Sequence, residues 1–322
     1  MSGRRCLVPV RGHARGFWLD GRLSRGDDAG VASDPEEETP LEGGGLTEVV
    51  RVGESVRRAA GSWTPAVHAL LRHLESARFA GAPRSRGIDE RGREVLTWVD
   101  GEQFSWYADD DLAAFGHLVR ELHDATAGFA APAGALWQRM VGAPADGPVI
   151  CHNDLSADNA IRTPSGLVLI DWDLAAPGTR VWDVAWAAYR WVPLYDDATC
   201  ARLDIPVPDR GRLRVLVDAY GLDAADRAAL VPTVEARIRC LIATARTWGT
   251  QGRPGWVDVW RDTGGRQWQA GLAYVRSQRG AWAQALRCPP RRPACRQRGQ
   301  PRWQREGNAK ATPPCRPTAC IT

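Results

Sequence analysis

The stretch Cys151-His152-Asn153-Asp154-Leu155-Ser156-Ala157-Asp158-Asn159 is followed, twelve residues after Asn159, by Asp171 in Leu169-Ile170-Asp171-Trp172-Asp173. An Asp able to orient or deprotonate a hydroxyl thus stands five residues before an Asn, and a second Asp ends an apolar run. That order suits phosphoryl transfer, which asks a protein for little covalent work. A hydroxyl must be placed in line with a γ-phosphate, and the developing charge must be neutralised by Mg²⁺ and cations. Asp154 follows Pro148–Cys151, a short strand whose sheet edge would fix its position. Asn159 and Asp171 carry the hard oxygens that Mg²⁺ prefers. Ala160–Arg162 and Leu167–Ile170 flank Pro164-Ser165-Gly166, which predicts a hairpin returning Asp171 to the side of Asn159.

Towards the N-terminus the spacing changes. Order is expected from Gly43-Gly44-Gly45, a run that reads either as backbone able to approach phosphates or as a flexible start. Thr47–Val52 and Ser55–Arg58 read as strands about a Gly53-Glu54 turn. Thr64 caps a helix with Pro65 in its first position, and Val67, Leu70, Leu71 and Leu74 form its apolar stripe. Arg84–Ile88 and Arg93–Val99 flank a second hairpin turn, Asp89 to Gly92. Beyond Asp100-Gly101-Glu102 the pattern turns helical. Asp109-Asp110-Asp111 caps a helix carrying Leu112, Phe115, Leu118 and Leu122. Further helices are expected at about 181–192, 209–219, 224–249 and 265–287. This predicts an α+β, two-lobed chain: a leader without order over 1–40, a small antiparallel nucleotide-binding lobe over 41–99, a larger, mostly helical catalytic and substrate-binding lobe over 100–286, and a basic tail without order over 287–322.

Composition narrows the class. The chain of 322 residues is 44% hydrophobic and 25% charged, as expected of a protein with real cores. Residues 287–322 hold nine Arg or Lys and one acid, so they contribute +8 to a net +4 and leave residues 1–286 at −4. A mildly acidic core argues against nucleic acid as its partner. No run approaches the ~20 apolar residues that span a bilayer, and Leu7–Val10 is too short for a signal-peptide core, so a cytoplasmic protein is expected. Cys6, Cys151, Cys200 and Cys240 then read as free thiols, and Cys288, Cys295, Cys315 and Cys320 lack a zinc-like pairing. Fifteen Trp against five Phe predict indole-lined cores or pockets whose N–H groups need partners.

His152-Asn153-Asp154…Asn159 and Ile170-Asp171-Trp172-Asp173 resemble the catalytic and metal loops of the aminoglycoside phosphotransferase family, which is similar to choline kinase and, more distantly, to protein kinases. The resemblance covers about residues 40–285. It implies a two-lobed protein-kinase-like fold and transfer of the γ-phosphate of ATP or GTP to a hydroxyl of an aminoglycoside-like or other small molecule. Choline, sugar or homoserine kinases, or a silent nucleotide-binding module, are the alternatives. By the resemblance Asp154 is the catalytic base, Asn159 and Asp171 hold Mg²⁺, and Val95-Leu96-Thr97-Trp98-Val99 joins the lobes, with Leu96 and Trp98 at the nucleotide base. Asp183 would tie the catalytic loop to the following helix, His123 would pack in the core, and His152 would orient the loop.

The chain departs from the family pattern in three places. Asn153 replaces a Gly, and Asn tolerates unusual backbone angles. Asp173 replaces the Gly of the protein-kinase triplet, either as a metal ligand or as a structural acceptor. Lysine occurs once, at Lys310, so the core has no Lys to hold the phosphates. Arg57 or Arg58 must substitute, and Arg58 is favoured. The helix acid that orients such a Lys has no clear counterpart: Glu75 lies late, and His68 sits nearer the expected place. On the substrate side Trp182, Trp186 and Tyr189 share a helix face, and Asp196, Asp197 and Glu235 are acids suited to an amino-substituted acceptor.

Overall fold

The computed structural model describes residues 37–41, 49–103, 111–205, 207 and 209–287. The Gly43–Gly45 run, Asp109, Asp110, most of the leader, Cys6 and the tail with its four cysteines lie outside the described residues.

Strands β1 (Thr39–Pro40), β2 (Val49–Val52), β3 (Ser55–Ala59), β4 (Ser85–Ile88) and β5 (Arg93–Thr97) make one antiparallel sheet in the order β1-β2-β3-β5-β4. The leader expected to lack order through residue 40 therefore ends in a strand, with Pro40 facing Val50. Gly53, at φ 54°, supplies the left-handed residue that a two-residue hairpin demands between β2 and β3. Register then sets Val56 opposite Leu96 and Arg58 opposite Glu94. Helix α1 (Thr64–Ser76) buries Val67, Leu70, Leu71 and Leu74. Its Thr64 does not cap it. Thr64 accepts instead from the amide of Gly61, in the turn that leads in.

The second part begins with β6 (Glu102–Gln103) and α2 (Leu112–Thr126). Asp111 stands at the N-terminus of α2, but its carboxylate pairs with Arg162 and makes no cap bond. β7 (Val149–Cys151) is fully buried and leads into the motif. A single 3₁₀ turn (Ala157–Asn159) joins the expected hairpin of β8 (Ala160–Thr163) and β9 (Gly166–Leu169), and β10 (Ala176–Gly178) returns antiparallel to β7. Helices α3 (Arg180–Trp191), α4 (Asp197–Leu203), α5 (Arg210–Tyr220), α6 (Ala224–Thr250), α7 (Trp256–Thr263), α8 (Arg266–Ser277) and α9 (Arg279–Arg287) complete the chain. At 27 residues α6 is the spine, packed against α3, α7, α8 and α9. Gly116 lets α2 approach α5, since a Cβ there would sit 2.9 Å from the carbonyl oxygen of Leu216. The single helix expected over 265–287 breaks at Gln278, and α4 and α7 had no counterpart among the expected helices. No helix among the described residues is long and apolar enough to cross a membrane.

Candidate active site

The loop after β7 is held by backbone-directed bonds that its own residues supply. Asn153 takes φ 65°, the left-handed conformation its amide side chain tolerates. Its Nδ2 donates to the Leu174 carbonyl, 3.0 Å away, and its Oδ1 accepts from the Trp182 indole, also at 3.0 Å. Asp183, at the start of α3, accepts the amides of His152 (2.7 Å) and Asn153 (2.9 Å). The other face of the Asp183 carboxylate meets His123 Nε2 at 3.1 Å, and His123 Nδ1 contacts the Tyr220 hydroxyl. Burial alone would raise Asp183, but His123 and the neighbouring cations hold its carboxyl below the ordinary range. Asp183 thus braces the loop from beneath, as its resemblance implied.

His152 works through both ring nitrogens. Nδ1 accepts the amide of Asp154 at 3.3 Å, so the ring proton is on Nε2 and is donated to the Ile170 carbonyl at 3.0 Å. Burial pushes His152 down from its ordinary value, which keeps the neutral tautomer. The imidazole therefore ties the Asp154 loop to the end of β9. Trp172, wholly buried, packs on it with ring centres 4.6 Å apart.

Asp154 sits at the floor of this arrangement, 4% exposed. One oxygen accepts from the Trp186 indole at 3.2 Å and the other from Asn159 Nδ2 at 2.9 Å. Asn159 Nδ2 also donates to the Asp154 carbonyl at 3.0 Å. Both amide protons being engaged, the Asn159 side-chain oxygen must face away, since a flip would set oxygen against two acceptors. Burial, reinforced by the charge of Asp171, pushes the Asp154 carboxyl up to about 8. Arg190 and Arg237 pull the other way. Arg237 is fully buried on α6, donates to the Asn153 carbonyl at 2.6 Å, and lies 4.9 Å from the ring centres of both Trp182 and Trp186.

The hairpin delivers Asp171 as expected: the amide of Ile170 bonds the Asn159 carbonyl at 2.9 Å. Asp171 itself adopts φ 62°, a strained conformation for a residue with a side chain. That side chain stays 45% exposed. The side-chain oxygen of Asn159 and the carboxylate of Asp171 are hard donors of the kind that could hold Mg²⁺.

Arg58 reaches this group from β3. Its Nε donates to Glu94 at 2.5 Å, Nη1 to Asp171 at 2.9 Å and Nη2 to Asp173 at 2.7 Å. These three acids hold the guanidinium above its ordinary value despite burial. Arg57 points the other way, 3.8 Å from Asp89. Burial pushes Asp173 up to about 6 against the pull of Arg58. Glu94 was not singled out by sequence reasoning. The signal was present, because Glu94 alternates with buried Leu96 and so had to face inward from Arg93–Thr97. Arg237 likewise sits within a buried run of α6.

Four of the expected residues, Arg58, Asp154, Asn159 and Asp171, come together through these contacts. Leu96 and Trp98 do not join them. Leu96 is a buried core residue paired across the sheet on both sides. The amide of Trp98 is engaged by the Glu54 carbonyl, and its ring lies under the Arg51 guanidinium at 4.4 Å. Trp182, Trp186 and Tyr189 are all buried, so most of that stripe is core. Of the acids expected to suit an amino group, Asp196 and Glu235 are engaged elsewhere, and Asp197 is exposed at the start of α4. Asp196 caps α4 through the Thr199 amide and hydroxyl, and buried Glu235 pairs with Arg239, Arg276 and Arg279.

Known proteins resemble this chain in sequence or in fold. A trifolitoxin immunity protein from Rhizobium leguminosarum bv. trifolii is 35% identical over 240 residues, 70% of this chain and 92% of that one. An amicoumacin kinase solved with AMP-PNP, Ca²⁺ and Ami superimposes with a TM-score of 0.54 at 14% identity, over 76% of this chain and 88% of that one. A microcompartment-associated aminopropanol kinase does so with a TM-score of 0.51 at 16% identity, over 79% and 95%. The two structures bear out the kinase-like α+β fold. Residues 53–216, from the β2–β3 turn through the loop and the hairpin, match the model of the phosphotransferase enzyme family, and with the 35% relative they establish that the chain belongs to it.

Proposed function

We propose that the chain is a Mg²⁺-dependent O-phosphotransferase that moves the γ-phosphate of ATP or GTP to a hydroxyl of a small, antibiotic-like molecule. The observation that carries the reading is the constellation itself: a buried carboxylate at Asp154, an outward-turned oxygen at Asn159, the exposed Asp171 and the Arg58 cation, tied together by short bonds. The antibiotic-like acceptor is favoured by a 35% identical relative named for immunity and by the likeness to an amicoumacin kinase.

In this scheme Asp154 orients the acceptor hydroxyl and takes its proton. A base whose pKa lies near the operating pH is well matched to that task. Trp186 and Asn159 fix the two carboxylate oxygens, so the orientation is built in before substrate arrives. Asn159 and Asp171 would hold Mg²⁺, which neutralises charge on the phosphates when bound. Arg58 offers its planar fork to phosphate oxygens in place of a lysine. The indole N–H of Trp98, in the expected base-binding segment, is buried without a partner among the described residues. The buried free thiols Cys151, Cys200 and Cys240 suit a cytoplasmic setting.

The test is ³¹P detection of nucleotide-dependent phosphorylation across a mixed panel of antibiotics, amino alcohols and sugars, with Asp154→Asn beside the native chain. Transfer that persists unchanged in the variant removes Asp154 from its role. A silent nucleotide-binding module is the second reading, favoured by the hold of Arg58 on both Asp171 and Asp173. Nucleotide binding without transfer on the whole panel would select it.

A further inference from the structure

We propose that the phosphate-gripping cation is positioned from the sheet and not from helix α1. Glu94 is the positioning acid of Arg58, and His68, where the family's helix acid is expected, supports Glu94 and leaves the cation untouched. The proposal rests on the phosphotransferase reading above.

Arg58 and Glu94 stand directly opposite on adjacent antiparallel strands, so backbone register alone sets their approach. The bond between Arg58 Nε and Glu94 Oε1 is 2.5 Å, and Glu94 is 1% exposed. The other oxygen, Oε2, meets His68 Nε2 at 3.1 Å, and that ring is itself buried on α1. Glu94 is held below the ordinary carboxylate range although its burial works the other way, because His68 and Arg58 both favour its charge. It is therefore a fixed anion at the back of the guanidinium.

The three guanidinium nitrogens divide the work. Nε faces the buried Glu94, while Nη1 and Nη2 face Asp171 and Asp173, whose side chains are 45% and 25% exposed. On nucleotide binding the inner bond stays and the two outer nitrogens exchange carboxylate for phosphate oxygens. A lysine has one ammonium and could not keep an inner anchor while turning two coplanar donors outward. The swap from Lys to Arg and the move of the acid from helix to strand are thus one change. The grip follows strand register, and α1 acts on it only through the His68 bond to Glu94.

The experiment titrates the full-length chain with a non-hydrolysable ATP analogue and Mg²⁺, and measures nucleotide KM and kcat where transfer occurs. Glu94→Gln is expected to weaken analogue binding and raise nucleotide KM by about tenfold, with the acceptor KM unmoved, as befits loss of one charge-assisted bond. His68→Gln, which keeps a donor towards Glu94, is expected to bind as the native chain does, and His68→Leu to bind about threefold more weakly. A folded Glu94→Gln variant with native analogue affinity overturns the proposal. Should that variant not fold, a folded His68→Leu variant with native affinity overturns it equally. A native chain that binds no nucleotide refutes the phosphotransferase reading itself, so the two failures are distinguishable.

Discussion

At the scale of single residues, Asp154 and Asp183 are buried carboxylates with opposite settings. Asp154 is pushed up to about 8 by burial and Asp171, whereas Asp183 is held low by His123. In its proposed role as base Asp154 must lose its proton, so kcat/KM should rise with pH towards a plateau past about 8, measured from pH 6 upward. Asp154→Asn should lose that limb and roughly 10²–10⁴ of kcat. The stability signs differ too. A raised folded value means that the native state binds the proton more tightly than the unfolded chain does. The contribution of Asp154 is therefore complete below the ordinary value of 3.8 and is lost as pH rises to about 8. Asp183 contributes above its ordinary value and loses that contribution as pH falls through its lowered one. Asp183→Asn should flatten the acid limb of a denaturation series and cost about 3–5 kcal/mol at neutral pH, as expected for a broken buried pair. The three acidic and amide motif residues were legible because loop chemistry is read by residue type and spacing. Glu94 was legible only as an inward-facing position, because its role depends on which strand lies beside β5. Register between strands distant in sequence is not written in either strand alone.

At the scale of elements, local patterns carried most of the way. The β8–β9 hairpin, α3, α5 and α6 follow directly from turn residues and 3.6-residue periodicity. The break between α8 and α9 did not show, because both segments are good helix formers. The join falls at Gln278, between Arg276 and Arg279, which both turn to Glu235 on α6. One buried carboxylate thereby pins the end of α8 and the start of α9 to the spine. Glu235→Ala should cost about 1–3 kcal/mol, because the arginines it releases are half exposed and regain water. Hydrogen exchange should quicken in α9 while the middle of α6 keeps its protection. Equal quickening in both would mean that Glu235 supports the whole bundle and not this join.

At the scale of the whole molecule, Arg58 links the sheet to the helical part at the site, bonding Glu94 on one side and Asp171 and Asp173 on the other. Arg58 already neutralises Asp171 and Asp173 in the free protein. Mg²⁺ alone should therefore raise the melting temperature little. Nucleotide with Mg²⁺ should raise it by more than the sum of the two given separately, because phosphate draws the guanidinium off Asp171 and clears that carboxylate for the metal. Additive shifts in a thermal scan would count against this coupling. The two-part architecture itself was visible in the sequence, where strand-like alternation gives way to helical stripes near Asp100. The acceptor was not visible. Two of the acids that suggested an amine, Asp196 and Glu235, are tied up by Thr199 and by three arginines, and only side-chain geometry reveals that.

The proposed arginine phosphate grip also changes how the protein can be found. Reagents that survey nucleotide sites by acylating the phosphate-binding amine need a nucleophilic lysine beside the phosphates, and a guanidinium, protonated at every working pH, does not react with them. With its sole lysine at position 310, this chain would pass such a survey unlabelled while holding nucleotide, and relatives sharing the substitution would be counted as empty alongside it.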